Sequence, residues 1–125
     1  MPACLTHYCF AQRVREDLEE KASLDPCAYA WGAQGPDFFF CHRFLPMWKG
    51  PSLREYGDRL HRETPSKVLG ALREFLKEHP DPVYRSYIEG FVCHYSLDCT
   101  AHPYINWLAK KLASQRSWEN PSTMH

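Results

Sequence analysis

A chain of 125 residues with 15 basic and 15 acidic side chains carries no net charge when histidine is neutral. That length suits one domain, here 1–125, and excludes a two-domain architecture; the charge balance removes the basic field of a nucleic-acid-binding protein, so no nucleic-acid partner is expected. Seven Tyr, seven Phe and four Trp exclude a disordered chain and point to a packed domain with an aromatic-lined cleft.

The start, Met1-Pro2-Ala3-Cys4-Leu5-Thr6-His7, lacks a basic region followed by an apolar run, so no secretory signal peptide is expected. Leu5, Cys9, Phe10, Val14 and Leu18 recur at helical spacing and predict an amphipathic first helix to about Glu20. Its Arg/Glu-rich run from Arg13 to Lys21 reads as a solvated face. Asp25-Pro26 is a cap followed by proline at the first helical position, and it opens a short helix that Gly32 ends. From Gly32 to Pro51 the Gly and Pro residues predict a long loop. The loop is aromatic, with Phe38, Phe39, Phe40, Phe44 and Trp48 beside Met47, and a loop of this length is expected to be functional, here as a pocket wall.

Ser52 is read as the cap of a helix carrying Leu53, Tyr56, Leu60 and His61. Thr64-Pro65 opens another with Val68, Leu69, Leu72, Phe75 and Leu76 apolar. Asp81-Pro82 caps the next, which holds Tyr84, Tyr87, Ile88, Phe91, Val92 and Tyr95. Ala101-His102-Pro103 is expected to break or kink it, with Pro103 opening a last helix through Ile105, Leu108 and Leu112. No strand with alternating character stands out. The expected fold is all-α, a single domain of about six helices.

The six cysteines, at 4, 9, 27, 41, 93 and 99, form no C-x-x-C pair, which excludes a zinc ribbon or thioredoxin-type motif. They are expected to be small buried apolar residues of a reduced, cytoplasmic protein. No apolar stretch approaches the roughly 18 residues that span a bilayer.

The chemistry concentrates in His94-Tyr95-Ser96-Leu97-Asp98-Cys99-Thr100-Ala101-His102. His94, Asp98 and His102 stand four apart, so on a helix they share one face. Imidazole and carboxylate are ligands that Zn²⁺ accepts. The alternative is two ordinary histidines and an aspartate on a solvated face, but the apolar neighbours Phe91, Val92 and Leu97 argue for burial, where such groups need partners. Gly32-Ala33-Gln34-Gly35-Pro36-Asp37, Leu60-His61 and Thr6-His7 are each weak alone. His42 lies near Asp37 with no role assigned. His79, at a helix end, is explained by the helix dipole. The four tryptophans read as core or pocket wall.

In this order the segments resemble the zinc-dependent phospholipase C family of bacteria, in particular its intracellular, uncharacterised branch. The carrying residues are Thr6-His7, Gly32 to Asp37, Leu60-His61, Gly90 to Asp98 and Ala101-His102-Pro103-Tyr104-Ile105, so the likeness spans nearly the whole chain. It implies an all-helical fold around up to three zinc ions. Asp37, His61, His94 and Asp98 would hold one zinc, Asp98 would bridge to a zinc held by His7, and His102 with His125 would belong to a third site. The family closes that third site with a Glu four residues after the second His. Here the Glu would fall beyond His125, so the chain reads as a truncated member. Secreted members also use a processed N-terminal Trp as a ligand, and this chain starts Met1-Pro2 instead. The implied activity is hydrolysis of a phosphodiester, a phospholipid or a small molecule, by a metal-activated water, with Asp37 the catalytic candidate. The alternatives are a metal-binding but inactive fragment and a structural zinc domain. An HD-type phosphohydrolase ranks lower because no His here directly precedes an Asp. Oligomeric state stays open.

Overall fold

The computed structural model describes residues 4–43, 45, 47 and 49–116. Among them it contains helices and no strand, as the sequence predicts: α1 Cys4–Asp17, α2 Pro26–Gly32, α3 Arg54–Arg62, α4 Pro65–Glu78 and α5 Pro82–Arg116, with 3₁₀ segments at Lys21–Ser23 and Gly35–Cys41.

The frame is α2 lying along α5. Asp25 caps α2 by accepting the Ala28 amide at 2.7 Å, and Pro26 sits where no helical N–H is needed. Three links then fix its register. The Asp25 amide donates to Ser86 Oγ (2.9 Å), Tyr29 Oη meets Cys93 Sγ (3.2 Å), and His94 Nδ1 reaches the Ala33 carbonyl (3.3 Å). From Asp25 to Ala33 and from Ser86 to His94 the numbers rise together, so the two helices run in the same sense. Gly32 and Gly90 allow this approach. A Cβ on Gly90 would overlap the Tyr29 carbonyl, and one on Gly32 the Tyr87 carbonyl.

Against this frame packs α1. Ala11 is fully buried, and Phe10, Val14 and Leu18 close over the cluster of Ala11, Leu24, Tyr29, Ala33 and Cys93. Tyr29 donates its hydroxyl hydrogen to the Ala11 carbonyl at 2.9 Å. Leu5 and Cys9, expected in the apolar stripe, are exposed, and the inward positions at this end are His7 and Ala11. A polar site, not more core, receives the start of α1. The 3₁₀ turn Lys21–Ser23 and the Arg85–Glu20 and Arg85–Glu89 ion pairs close the far end.

Several boundaries move. α1 ends at Asp17 rather than near Glu20. The loop expected from Gly32 contains the 3₁₀ segment Gly35–Cys41, started by the Asp37 amide bonding back to the Gln34 carbonyl at 3.2 Å. Leu53, not Ser52, is the N-cap of α3, although Ser52 Oγ accepts the Arg54 amide at 3.2 Å. Pro103 does not break the helix, and α5 runs through it for 35 residues. Cys99 and Pro103 are both exposed, so the Cys99 carbonyl left without its helical donor lies where water reaches it. The cysteine expectation fails in most places: only Cys93 is buried, and Cys4, Cys9, Cys27, Cys41 and Cys99 are exposed free thiols. No described helix is long and apolar enough to cross a membrane.

Candidate metal centre

Four elements deliver five side chains to one point. His7 comes from the first turn of α1, Asp37 from the 3₁₀ segment, His61 from the end of α3, and His94 and Asp98 from the middle of α5. His7 and His94 are buried to about 1 % exposure and stack with ring centroids 4.2 Å apart. The two carboxylates sit between the imidazoles. Asp98 Oδ1 lies 3.3 Å from His7 Nε2, and its Oδ2 lies 3.2 Å from His94 Nε2. Asp37 Oδ1 is 2.9 Å from His61 Nε2 and 3.9 Å from His94 Nε2, and its Oδ2 is 4.0 Å from His7 Nε2. His102 Nε2 approaches Asp98 Oδ1 at 3.1 Å, from a side chain that is 40 % exposed.

The orientation of each imidazole has a local cause. His94 Nδ1 faces the Ala33 carbonyl and His61 Nδ1 faces the Gly57 carbonyl at 2.8 Å. With Nδ1 donating to a carbonyl, Nε2 is left as a lone pair pointing into the cluster, the arrangement that a carbonyl behind the ring imposes on metal-binding histidine. Gly35, at φ 54°, runs its backbone against the His94 ring, and a Cβ there would overlap that ring. Gly57 lets α3 approach Phe39 and Phe40, and Phe40 covers His61 with centroids 5.2 Å apart. Tyr95 donates its hydroxyl hydrogen to the Leu60 carbonyl at 3.3 Å, which ties α5 to the end of α3 beside His61.

The donor atoms fit a metal. His7 Nδ1, His7 Nε2 and His94 Nε2 are buried without a hydrogen-bond partner. The short His7–Asp98 and His94–Asp98 distances are thus approaches without hydrogen-bond alignment. A buried polar atom without a partner costs on the order of 1–3 kcal/mol, and a cation among these lone pairs removes that cost. Among the described residues two groups have the mutual spacing to hold an ion, His7/His94/Asp98 and Asp37/His61/His94. They share His94 and leave a carboxylate at each end. Burial pushes the His94 pKa below its ordinary value, the Asp98 and Asp37 carboxylates opposing and His7 adding to the depression. The neutral imidazole is the form a metal takes.

Of the candidate residues, His7, Asp37, His61, His94 and Asp98 converge and His102 stands at the edge; His125 lies outside the described residues, as do Phe44, Trp48 and Trp118. The Ala33 carbonyl, Gly35 and Gly57 were missed. A backbone carbonyl carries no sequence signal; Gly35 enters the sequence reading only as part of segment 32–37, and Gly57 stands in a helix with nothing to single it out. His42 serves the scaffold: its Nδ1 accepts the Leu53 amide at 3.2 Å and its carbonyl accepts Ser52 Oγ, joining the 3₁₀ segment to the start of α3. His79 stacks on Phe75 at the end of α4. Beside the centre lies an open apolar groove of about 520 Å³, lined by Cys4, Trp31, Gln34, Phe38, Phe39, Cys41, His42 and Leu53. None of the clustered His or Asp side chains lines it, although Phe38 directly follows Asp37.

No curated protein and no solved structure matches the chain. A family model described as zinc dependent phospholipase C matches residues 6–122, a span that takes in every element carrying the clustered side chains. The chain belongs to the zinc-dependent phospholipase C family.

Proposed function

We propose that the chain, as one domain, is a phospholipase C-like hydrolase of phosphodiesters that works with zinc. The observation that carries this reading is the convergence of His7, His61, His94, Asp37 and Asp98 on one point, with the buried His7 and His94 holding ring nitrogens that have no hydrogen-bond partner, within a chain of this family. Zinc, when bound, lowers the pKa of a coordinated water and stabilises charge on a phosphoryl group.

The chain's own residues divide the work. His61, His94, Asp37 and Asp98 form one ligand set. Asp98 directs one oxygen toward His94 and the other toward His7, so its carboxylate would serve the ligand sets of both. His102 approaches Asp98 from the open side and, with His125, would supply the third site that the family likeness implies. Asp37 turns both of its oxygens inward and is the group that orients the attacking water and takes its proton. Hydrolysis forms a bond from the water oxygen to phosphorus and breaks the ester bond, and the proton passes to the leaving oxygen. The apolar groove beside Phe38 takes the substrate's apolar part, with a phospholipid as the favoured substrate class. Exposed free thiols at five positions support a reducing, cytoplasmic setting.

A second reading has an observation of its own. Among the described residues the buried apolar set is sparse, being Ala11, Leu24, Tyr29, Ala33, Val68, Phe91 and Cys93. Metal joining α1, α3, α5 and the 3₁₀ segment would then act as a structural staple, in an inactive chain. Elemental analysis of chelator-free protein and of Asp98→Asn, followed by a screen of phosphodiesters, separates the readings. More than one zinc per chain, lost in the variant, together with diester hydrolysis supports the hydrolase. Metal without hydrolysis supports the staple. A chain without tightly bound metal overturns both.

A further inference from the structure

The second half of α5 presents an apolar face that no described element covers. Tyr104 is 61 % exposed, Trp107 54 %, Leu112 52 % and Ile105 37 %. Ala101, Ile105, Leu108 and Leu112 follow one another at alternating steps of four and three, so they form a single stripe along the helix. The same steps run back through Asp98 to His94. The stripe therefore continues the face of α5 that carries the metal centre.

Charge identifies the occupant. From Cys99 to Gln115 the helix has Lys110 and Lys111 and no acidic residue, in a chain whose totals balance. Lys111 lies over the Trp107 ring at 5.0 Å, and Tyr104 stands 6.0 Å from the same ring. A basic helix with Trp and Tyr flanking an aliphatic stripe has the composition of an interfacial helix, whose apolar face enters the headgroup region while cations meet anionic lipid. A second copy of this helix would bring only like charges to the stripe, which disfavours pairing. We propose that residues 100–116 are a docking face for an anionic lipid bilayer. This goes beyond the proposed hydrolase and rests on it in one respect only: docked this way, the helix turns the face bearing His94 and Asp98 toward the headgroups.

The test is sedimentation of the full chain with vesicles of phosphatidylcholine alone and of equal parts phosphatidylcholine and phosphatidylglycerol. Binding is expected to the mixed vesicles and to weaken with salt. Lys110→Gln with Lys111→Gln should reduce it by about thirty-fold, and Leu112→Gln should reduce it without lowering thermal stability, because these side chains are exposed. Amide hydrogen exchange should slow across 100–116 when anionic vesicles are added. Equal binding to both vesicles, no binding, or variants that bind like the parent would overturn the proposal. So would a dimer in analytical ultracentrifugation that Leu112→Gln dissolves, since a second copy would then own the face. Hydrolysis of a soluble phosphodiester is measured in parallel. It should be unchanged in these variants, and its absence would count against the hydrolase while leaving vesicle binding standing.

Discussion

Gly35 is the residue on which the centre is most exposed to a small change. Its φ of 54° lies in the left-handed region, and its backbone presses on the His94 ring. Gly35→Ala adds strain of about 1–2 kcal/mol from the backbone alone and forces the ring to move. Because the ring's orientation sets its lone pair, zinc affinity should fall by about ten-fold or more. Competition against a chromophoric chelator measures it, and an unchanged affinity would remove Gly35 from the positioning role. Tyr29 offers a pH test at the same scale. Burial, then the bond to Cys93, raises its pKa well above the usual tyrosine value of 10.0. A raised pKa means that the folded state favours the neutral phenol. The stabilisation is fully present below pH about 10 and is lost as pH rises beyond it. Tyr29→Phe should cost about 1–2 kcal/mol near neutrality, through the lost hydroxyl bond to the Ala11 carbonyl and the contact with Cys93 Sγ. The cost should shrink in strong alkali, as urea titrations at several pH values would read.

At the scale of elements, two glycines make opposite predictions. Gly90 is a contact point between α5 and α2, and a methyl group there overlaps the Tyr29 carbonyl. Gly90→Ala should therefore destabilise by about 1–3 kcal/mol, and it should also weaken metal binding, because α2 leads directly into Gly35 and Asp37. Gly70 lies in α4 with nothing within 4 Å of an added Cβ, so Gly70→Ala should stabilise by about 0.5–1 kcal/mol. Thermal denaturation of the two variants tests both signs. The elements themselves were largely legible. Asp25-Pro26, Thr64-Pro65 and Asp81-Pro82 each precede a helix because a capping or extended residue followed by Pro suits a first turn. The His94-Asp98-His102 face was legible for the same reason, since helical spacing alone defines a face. Pro103 misled because the cost of a lost helical bond is small where solvent satisfies the carbonyl. The Gly35–Cys41 segment misled because Gly and Pro read as breakers although a 3₁₀ turn accepts both at its start. The meeting of His7, Asp37 and His61 with that face depends on how α1, α3 and the 3₁₀ segment pack on α5. Spacing holds no information about that, and only the family likeness anticipated it.

At the scale of the molecule, the sparse core among the described residues and the polar centre are two sides of one arrangement. Interior volume that in other domains holds aliphatic side chains is here given to His7, His94 and the carboxylates. Without a cation, those lone pairs are desolvated and unsatisfied, and folding bears their cost. With zinc, the same atoms would join α1, the 3₁₀ segment, α3 and α5 at one point. Stability should therefore follow metal occupancy more steeply than in a domain with a large core. A ligand that binds only the folded state contributes RT ln(1 + [L]/Kd), about 4 kcal/mol at a thousand-fold excess over Kd. For a domain of this size that corresponds to a rise of very roughly 10–20 °C in melting temperature. Chelation should lower the midpoint by that order, and zinc should restore it. Asp98→Asn should melt near the chelated value and gain little from zinc, because the carboxylate that faces both His7 and His94 is then gone. Calorimetry of parent and variant, each with chelator and with zinc, measures the four midpoints. If chelation leaves the parent's midpoint in place, the unpartnered imidazoles are not metal ligands, and the centre is a polar core held by its own ion pairs.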